Sequence, residues 1–345
     1  MQHWFRILST ACLMIALVDA RAAYSADFFA GKTISVSTHA SPGGGYDTYL
    51  RAFAAHFGNH IPGKPSVIVV NQPGAGGLTA INYAGRIAPR DGTFLTLANE
   101  GILFEQATGG QGLRVSLDDF HWIGNFVKSN NVIATWYKSG VKNFADAKIR
   151  PASLGTTGAG AESDLLTLLV NALTGTQFKL IRGYEGAAQM GAAMERGELD
   201  GRGANMWASY KAINPNELRD HKLNLIIQIG ERKEPDLPAV PLLSDVIKGD
   251  PRKEAVARFV TLALVNARPV SAPPGVPLER VDLLRRAFDA TMKDPEFLAD
   301  ARRLRLEITP SSGEDVQRSV HQVLTTPKDI IRATEAMMAA AQQQN

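Results

Sequence analysis

Two glycine clusters, Gly43-Gly44-Gly45-Tyr46-Asp47 and Gly74-Ala75-Gly76-Gly77, constrain this chain more than any other feature. Each follows a short β-branched run, Thr33–Thr38 (TISVST) or Ser66–Asn71 (SVIVVN), and each runs on into a helical pattern. Strand, glycine loop and helix therefore occur twice in succession, the order of parallel β-α units. At such a junction backbone N–H groups converge, and the helix N-terminus adds partial positive charge. Glycine permits φ > 0 and lets a ligand approach the main chain. Two such loops on neighbouring parallel strands are expected to hold a small anion.

The theme continues along the chain. A turn at Pro89-Arg90-Asp91-Gly92 leads to a strand at Thr93–Ala98, and Asn99-Glu100-Gly101 closes it at the end where ligands sit in open α/β sheets. His121–Phe126 and Val132–Tyr137 read as extended. Ala152–Thr156 is a short strand, Gly158-Ala159-Gly160 a third glycine loop and 161–173 an amphipathic helix. Phe178–Ile181 is the next strand, and Tyr184-Glu185-Gly186 opens a helix at 187–197. Asp200–Arg202 reads as a turn, and Leu223–Ile229 as a buried strand. Asn266–Pro277 is a Pro-rich extended connection, and 252–264, 277–293, 295–304 and 314–340 read as helical. The unequal spacing of the glycine loops excludes a solenoid.

A chain of 345 residues suggests two domains. Its formal charge of +3 comes from scattered lysines and arginines, which argues against a nucleic-acid partner. Residues 1–26 have the layout of a secretory signal: Arg6, the apolar run Ile7–Val18, then Ala20, Ala22, Ala23 and Ala26. The run is too short to span a membrane. The processed chain is therefore expected outside the cytoplasm, with the signal removed. The single cysteine, Cys12, lies inside that signal, with neither the position nor the neighbours of a lipid anchor. The processed chain then has no thiol for a disulfide, a nucleophile or a metal.

Enzyme signatures are near misses. Gly31-Lys32-Thr33 lacks the leading glycine of a phosphate loop and precedes its strand instead of following it. Thr48, Thr79 and Ser163 replace the third glycine of a dinucleotide fingerprint after Gly43, Gly74 and Gly158, so no cofactor is expected. His56 and His60 have metal-ligand spacing, but Phe57 stands where a metalloprotease needs glutamate, and a histidine in a last helical turn is the simpler reading.

The candidate ligand-binding residues are Ser41, Gly43, Gly44, Gly45, Tyr46, Asp47, Asn71, Gly74, Ala75, Gly76, Gly77, Gly158, Ser163, Tyr184 and Arg202. Asp47 either stabilises the helix start or meets the ligand through water or a hydroxyl. Ser41, Asn71 and Ser163 are equally able to cap a helix or face the ligand. Arg202 offers a planar fork to a carboxylate, or a surface pair to Glu198 or Asp200. Trp207 is assigned to the core.

Ser41-Pro42-Gly43-Gly44-Gly45-Tyr46-Asp47 resembles the first ligand loop of the Bug/TctC-type solute-binding proteins of tripartite tricarboxylate transporters. Asn71-Gln72-Pro73-Gly74-Ala75-Gly76-Gly77 is similar to their N-x-P-G-A-G-G loop, and Asp91-Gly92 to their D-G turn. Gly158–Ser163 is similar to their glycine-serine loop, and Leu237-Pro238-Ala239-Val240-Pro241 to L-P-D-V-P. Two departures fall in the second domain. Asp164 stands where many members have histidine, and Ile181-Arg182-Gly183-Tyr184-Glu185-Gly186 replaces V-P-Y-x-G.

The resemblance implies a periplasmic-binding-protein-like α/β fold of the type II venus-flytrap kind, with a cleft between two α/β domains. Domain one would comprise 27–125 plus 251–345, and domain two 126–250. It also implies a small organic carboxylate as ligand, integral-membrane transporter subunits as partners, and a monomer without metal or catalytic residues. The competing readings are an α/β hydrolase or phosphate-ester enzyme, the receptor of an ABC-type importer, and a signalling receptor.

Overall fold

The computed structural model describes residues 28–99, 101–158 and 161–343. The expected signal at 1–26, with Cys12, lies outside the described residues, as do Glu100 and the loop tip Ala159-Gly160. The first β-branched run is strand β1 (Thr33–Thr38), and helix α1 (Gly45–Phe57) follows the first glycine cluster. Strand β2 (Ser66–Asn71) lies parallel to β1, with Thr33 opposite Ser66 and Thr38 opposite Asn71. Both glycine clusters therefore leave the same end of one sheet. Helix α2 (Leu78–Arg86), strand β3 (Phe94–Leu97), helix α3 (Gly101–Ala107) and strand β4 (His121–Asn125) follow.

The chain then crosses to a second sheet. Its elements are β5 (Asn131–Trp136), β6 (Ala152–Thr156), α4 (Glu162–Thr174), β7 (Phe178–Arg182), α5 (Ala187–Arg196), β8 (Gly201–Met206), α6 (Trp207–Ile213) and β9 (Leu223–Ile229). Helix α7 (Pro251–Leu264) leads back to β10 (Pro269–Ala272) in the first sheet. Helices α8 (Leu278–Thr291) and α9 (Pro295–Arg303), strand β11 (Ser311–Ser312), and helices α10 (Gly313–Leu324) and α11 (Lys328–Gln343) complete the fold.

The first sheet has the order β11-β4-β10-β3-β1-β2 and the second β7-β6-β8-β5-β9. Strand β10 is antiparallel to both β3 and β4, so β4 runs with β3 and its last residue, Asn125, lies at the loop-bearing end. Strand β5 begins with Asn131 opposite Met206, the last residue of β8, and β8 runs parallel to β6. The crossover 126–130 thus links the loop-bearing ends of the two sheets, and both sets of loops face one gap.

Two strands escape a reading by residue type. Segment 200–202, expected as a turn, opens β8 (GRGANM), and the expected connection 266–277 contains β10 (PVSA). Both lie inside their sheets, where space is short. A Cβ on Gly201 would collide with the Ala134 carbonyl, and one on Gly203 would lie 2.8 Å from Thr167 Oγ1. Small residues, not β-branched ones, fit there. The expected helix 314–340 is two helices, interrupted before Pro327, whose ring bars the preceding residue from continuing a helix.

Phe53, Phe126 and Phe288 pack together in the core beside the first sheet, with ring centroids 5.0–5.6 Å apart. A second apolar cluster joins Phe94 and Phe104 to Leu169 of α4, Phe259 of α7, Val316 of α10 and Met338 of α11. Helix α11 lies directly on α4, so the C-terminal helix rests against the second sheet's own layer.

Candidate functional site

The first loop is built from its backbone outward. Gly44 donates its N–H to the Ser41 carbonyl at 3.1 Å, closing a turn through Gly43 at φ +81°. Gly44 is the N-cap of α1, and it provides no side-chain cap for the first N–H groups of that helix. Gly43 and Gly45 are solvent-exposed. In the second loop Gly74, Ala75, Gly76 and Gly77 all have positive φ, at 135°, 47°, 63° and 101°. Such a turn makes a concavity of successive N–H groups suited to an anion. The loop packs closely at Gly77, where a Cβ would stand 3.1–3.4 Å from Ile102, Asn99 and His39.

Asp47 ties the two loops together. Its carboxylate accepts from Gly43 N, Arg51 Nε and Asn71 Nδ2, each at 2.8 Å, while Asn71 also donates to the Ala40 carbonyl at 2.8 Å. The Asp47 side chain is 2% exposed. Burial acts to raise its pKa, but hydrogen bonds from Arg51, Gly43 and Asn71 outweigh that and hold the carboxyl below its usual range. Both oxygens are thus engaged by the chain itself. Asn71 belongs to the same lock.

Sequence reasoning missed the cation of this region. Arg268, in the segment just before β10, is 7% exposed, and its guanidinium lies 3.7 Å over the Tyr46 ring. Its Nη2 would be 3.8 Å from a Cβ on Gly45, beside the N-terminus of α1. His39 meets the same Tyr46 ring edge-on at 4.4 Å. Asn99, at the end of β3, donates to the Gly76 carbonyl at 2.9 Å and steadies the second loop. Helix dipole, loop amides and guanidinium all present positive charge at one spot.

At the second sheet, Gly158 and Ser163 lie between β6 and the first turn of α4, and Ser163 Oγ accepts from Thr157 N at 3.4 Å. The two departures from the family pattern meet here. Arg182, the last residue of β7, donates through Nε and Nη2 to Asp164 at 2.7 and 3.2 Å. Asp164 is buried and also accepts from Thr156 Oγ1 at 3.2 Å, whereas the Arg182 side chain is 32% exposed. Asp164 raises the Arg182 pKa against the opposing effect of burial. The bidentate grip orients the remaining guanidinium donors. Nearby, at the loop end of the central strands, Asn131 Oδ1 and Asn205 Nδ2 are buried without a hydrogen-bond partner among the described residues. Asn131 Nδ2 donates to Glu162 at 2.6 Å.

The remaining candidates part company. Tyr184 packs against the Trp136, Met190 and Met194 cluster and donates its N–H to the Thr156 carbonyl at 3.3 Å. Arg202 does not join the loops. It is the second residue of β8, whose first residue pairs with Thr135, so it stands at the end of the sheet opposite Asn131 and the gap. The expected turn 200–202 contains the start of β8, and that start lies at the end of the sheet away from the gap. Trp207 is buried as assigned, donating Nε1 to Asp236 at 2.9 Å. His56 and His60 bind no common partner: they meet Asp300 and Asp294 at 3.0 and 2.9 Å.

Two α/β sheets joined by crossovers, with glycine loops facing a shared gap, define a receptor of the periplasmic-binding-protein kind. The tripartite tricarboxylate transporter family receptor, TctC, matches residues 56–336, and the chain belongs to that family. The "UPF0065 protein in gbd 5'region" of Cupriavidus necator is 25% identical over 334 residues, which cover 94% of this chain and 93% of that one. A TctC solute-binding protein from Polaromonas, solved without ligand, has a TM-score of 0.65 at 20% identity, covering 90% of this chain and 99% of that one. A protein from R. palustris solved with adipate has a TM-score of 0.64 at 19% identity, covering 88% and 98%.

Proposed function

We propose that the chain captures a small organic carboxylate between two lobes and presents it to the membrane subunits of a tripartite tricarboxylate transporter. The lobes are residues 27–125 with 251–345, and residues 126–250, hinged at the crossovers, with α11 of the first segment reaching across to pack on α4 of the second. The observation that carries this reading is the N-terminus of α1, without a side-chain cap, beside the four positive-φ residues of the second loop and the Arg268 guanidinium. Loops 41–47 and 71–77 clamp one carboxylate, largely through backbone N–H groups. Ser163 reads the other end, and so does Arg182, in place of Arg202. The adipate bound to the R. palustris relative is consistent with that chemistry. The ligand favours closure by touching both lobes. No catalysis is involved, and the protein works in the periplasm after removal of residues 1–26. No helix among the described residues is long and apolar enough to cross a membrane.

A thermal-shift screen of mono- and dicarboxylates tests this, since a ligand at a hundred times its Kd stabilises by about 2.7 kcal/mol. Gly44→Val is the decisive variant. Gly44 has φ −72°, which valine tolerates, and the new Cβ would stand 3.2 Å from the Ser41 carbonyl at the mouth of α1. Loss of the shift with the fold retained is expected. Normal binding by this variant, or turnover of ester or phosphate substrates by the wild type, overturns the proposal.

A further inference from the structure

Arg202 is buried to 2% exposure at the end of the second sheet away from the gap. Its guanidinium stacks 4.0 Å over Tyr210, donates Nη2 to Asn214 Oδ1 at 3.0 Å and Nη1 to the Ala187 carbonyl at 3.5 Å. Nε has no partner, and no ion pair among the described residues includes this side chain. Burying a guanidinium without a counter-ion is unfavourable. The group is nevertheless held rigidly, in the wall of a cavity of about 260 Å³ between α5 and the segment after α6. Trp136, Met194 and Leu223 give that cavity an apolar surface, and Glu195 and Glu217 line it with carboxylates.

We propose that this cavity is a second binding site, separate from the cleft, for a small zwitterion carrying a carboxylate and an ammonium group. The carboxylate supplies the counter-ion that the Arg202 guanidinium lacks; the ammonium takes Glu195 and Glu217. A simple anion would gain Arg202 but face two carboxylates, and a simple cation would face the guanidinium. A molecule with both charges satisfies every group. The apolar wall accommodates a short methylene chain between them.

Calorimetric titration of the Gly44→Val protein, chosen to remove cleft binding, tests the site with γ-aminobutyrate as probe and butyrate and butylamine as single-charge controls. Gly191→Leu fills the cavity without touching Arg202: Gly191 sits within α5, lines the cavity, and a Cβ there meets nothing within 4 Å. One-to-one binding of γ-aminobutyrate is expected, with both controls weaker by about 10-fold or more, the worth of a hydrogen bond to a charged group. Arg202→Met and Gly191→Leu should each weaken the probe by a similar factor. Should Arg202→Met fail to fold, Gly191→Leu, verified by circular dichroism, decides alone. Absence of γ-aminobutyrate binding, equal binding of butyrate, or unchanged binding by Gly191→Leu overturns the proposal. The cleft reading is unaffected by any of these results, because it stands on the carboxylate screen with the wild type.

Discussion

Replacing Asp47 tests whether the two ligand loops owe their shape to one buried carboxylate. The magnitude follows from its three partners. Arg51 is 54% exposed, so its pair with Asp47 is screened by solvent and contributes about 0–1 kcal/mol. The Gly43 amide and Asn71 donate at 2.8 Å to a carboxylate that is 2% exposed, and each such bond is worth roughly 1.5–3 kcal/mol. Asp47→Ala removes both, although water partly replaces them, which leaves a loss of about 2–4 kcal/mol. At about 2–4 °C per kcal/mol for a large domain, the melting temperature should fall by roughly 5–10 °C. Affinity for the cleft ligand should fall by about 10-fold or more, because the loops must then be ordered by the ligand itself. Asp47→Asn keeps one acceptor oxygen and should recover part of both losses.

The same carboxylate has a pH signature. Its folded pKa lies below the usual value, so its stabilisation is complete above the unfolded carboxylate pKa of about 3.9 and is lost as pH falls through the lower folded value. The stability gap between wild type and Asp47→Asn should be constant from neutral pH to about 5 and close in stronger acid. Thermal melts by circular dichroism from pH 7 to 3, paired with calorimetric titration of the cleft ligand at pH 7, measure both. An Asp47→Ala protein that melts within a degree of wild type and binds as tightly refutes the reasoning. So does a gap that persists unchanged in acid.

Arg268→Met should weaken carboxylate binding by about 10- to 100-fold in calorimetry, and Arg268→Lys should not restore it, since only the planar fork can stack on Tyr46 and keep a donor edge beside α1. Asp164→Asn should free Arg182; a double-mutant cycle with Arg182→Gln, read by chemical denaturation, should give a coupling of about 1–2 kcal/mol, discounted because Arg182 is 32% exposed. Lys211→Met removes an ion pair of 2.7 Å to Glu307, which links α6 of the second sheet's layer to the segment before β11. Burial lowers the Lys211 pKa, but Glu307 and Asp236 outweigh it and raise it. The pair's contribution is thus present below the unfolded lysine pKa and disappears as pH rises through the higher folded value. Small-angle scattering of the unliganded Lys211→Met protein should show a larger radius than wild type at neutral pH.

The placing of the two glycine loops at one sheet edge was legible in the sequence, because its signals are local. A β-branched run, a glycine cluster and a helical pattern are adjacent in the chain, and parallel pairing of β1 with β2 brings the two clusters to one edge. The part of the cleft made from side chains was not, because its residues meet through register. Whether an arginine in a strand faces the gap depends on which end of the strand it occupies. Arg202 and Arg182 lie at opposite ends of their strands: one is the second residue of β8 and the other the last residue of β7. Arg268 was hidden for a related reason. Strand β10 is sandwiched between β3 and β4 and carries PVSA, with none of the pattern that marks an amphipathic strand, so nothing announced that its flank would reach α1. The same logic explains why the two departures from the family motif look unrelated in sequence yet form one pair. A buried aspartate at the start of α4 is tolerable only with a cation beside it, and the end of β7 is the nearest place to supply one. Substituting either residue alone should therefore cost more than substituting both.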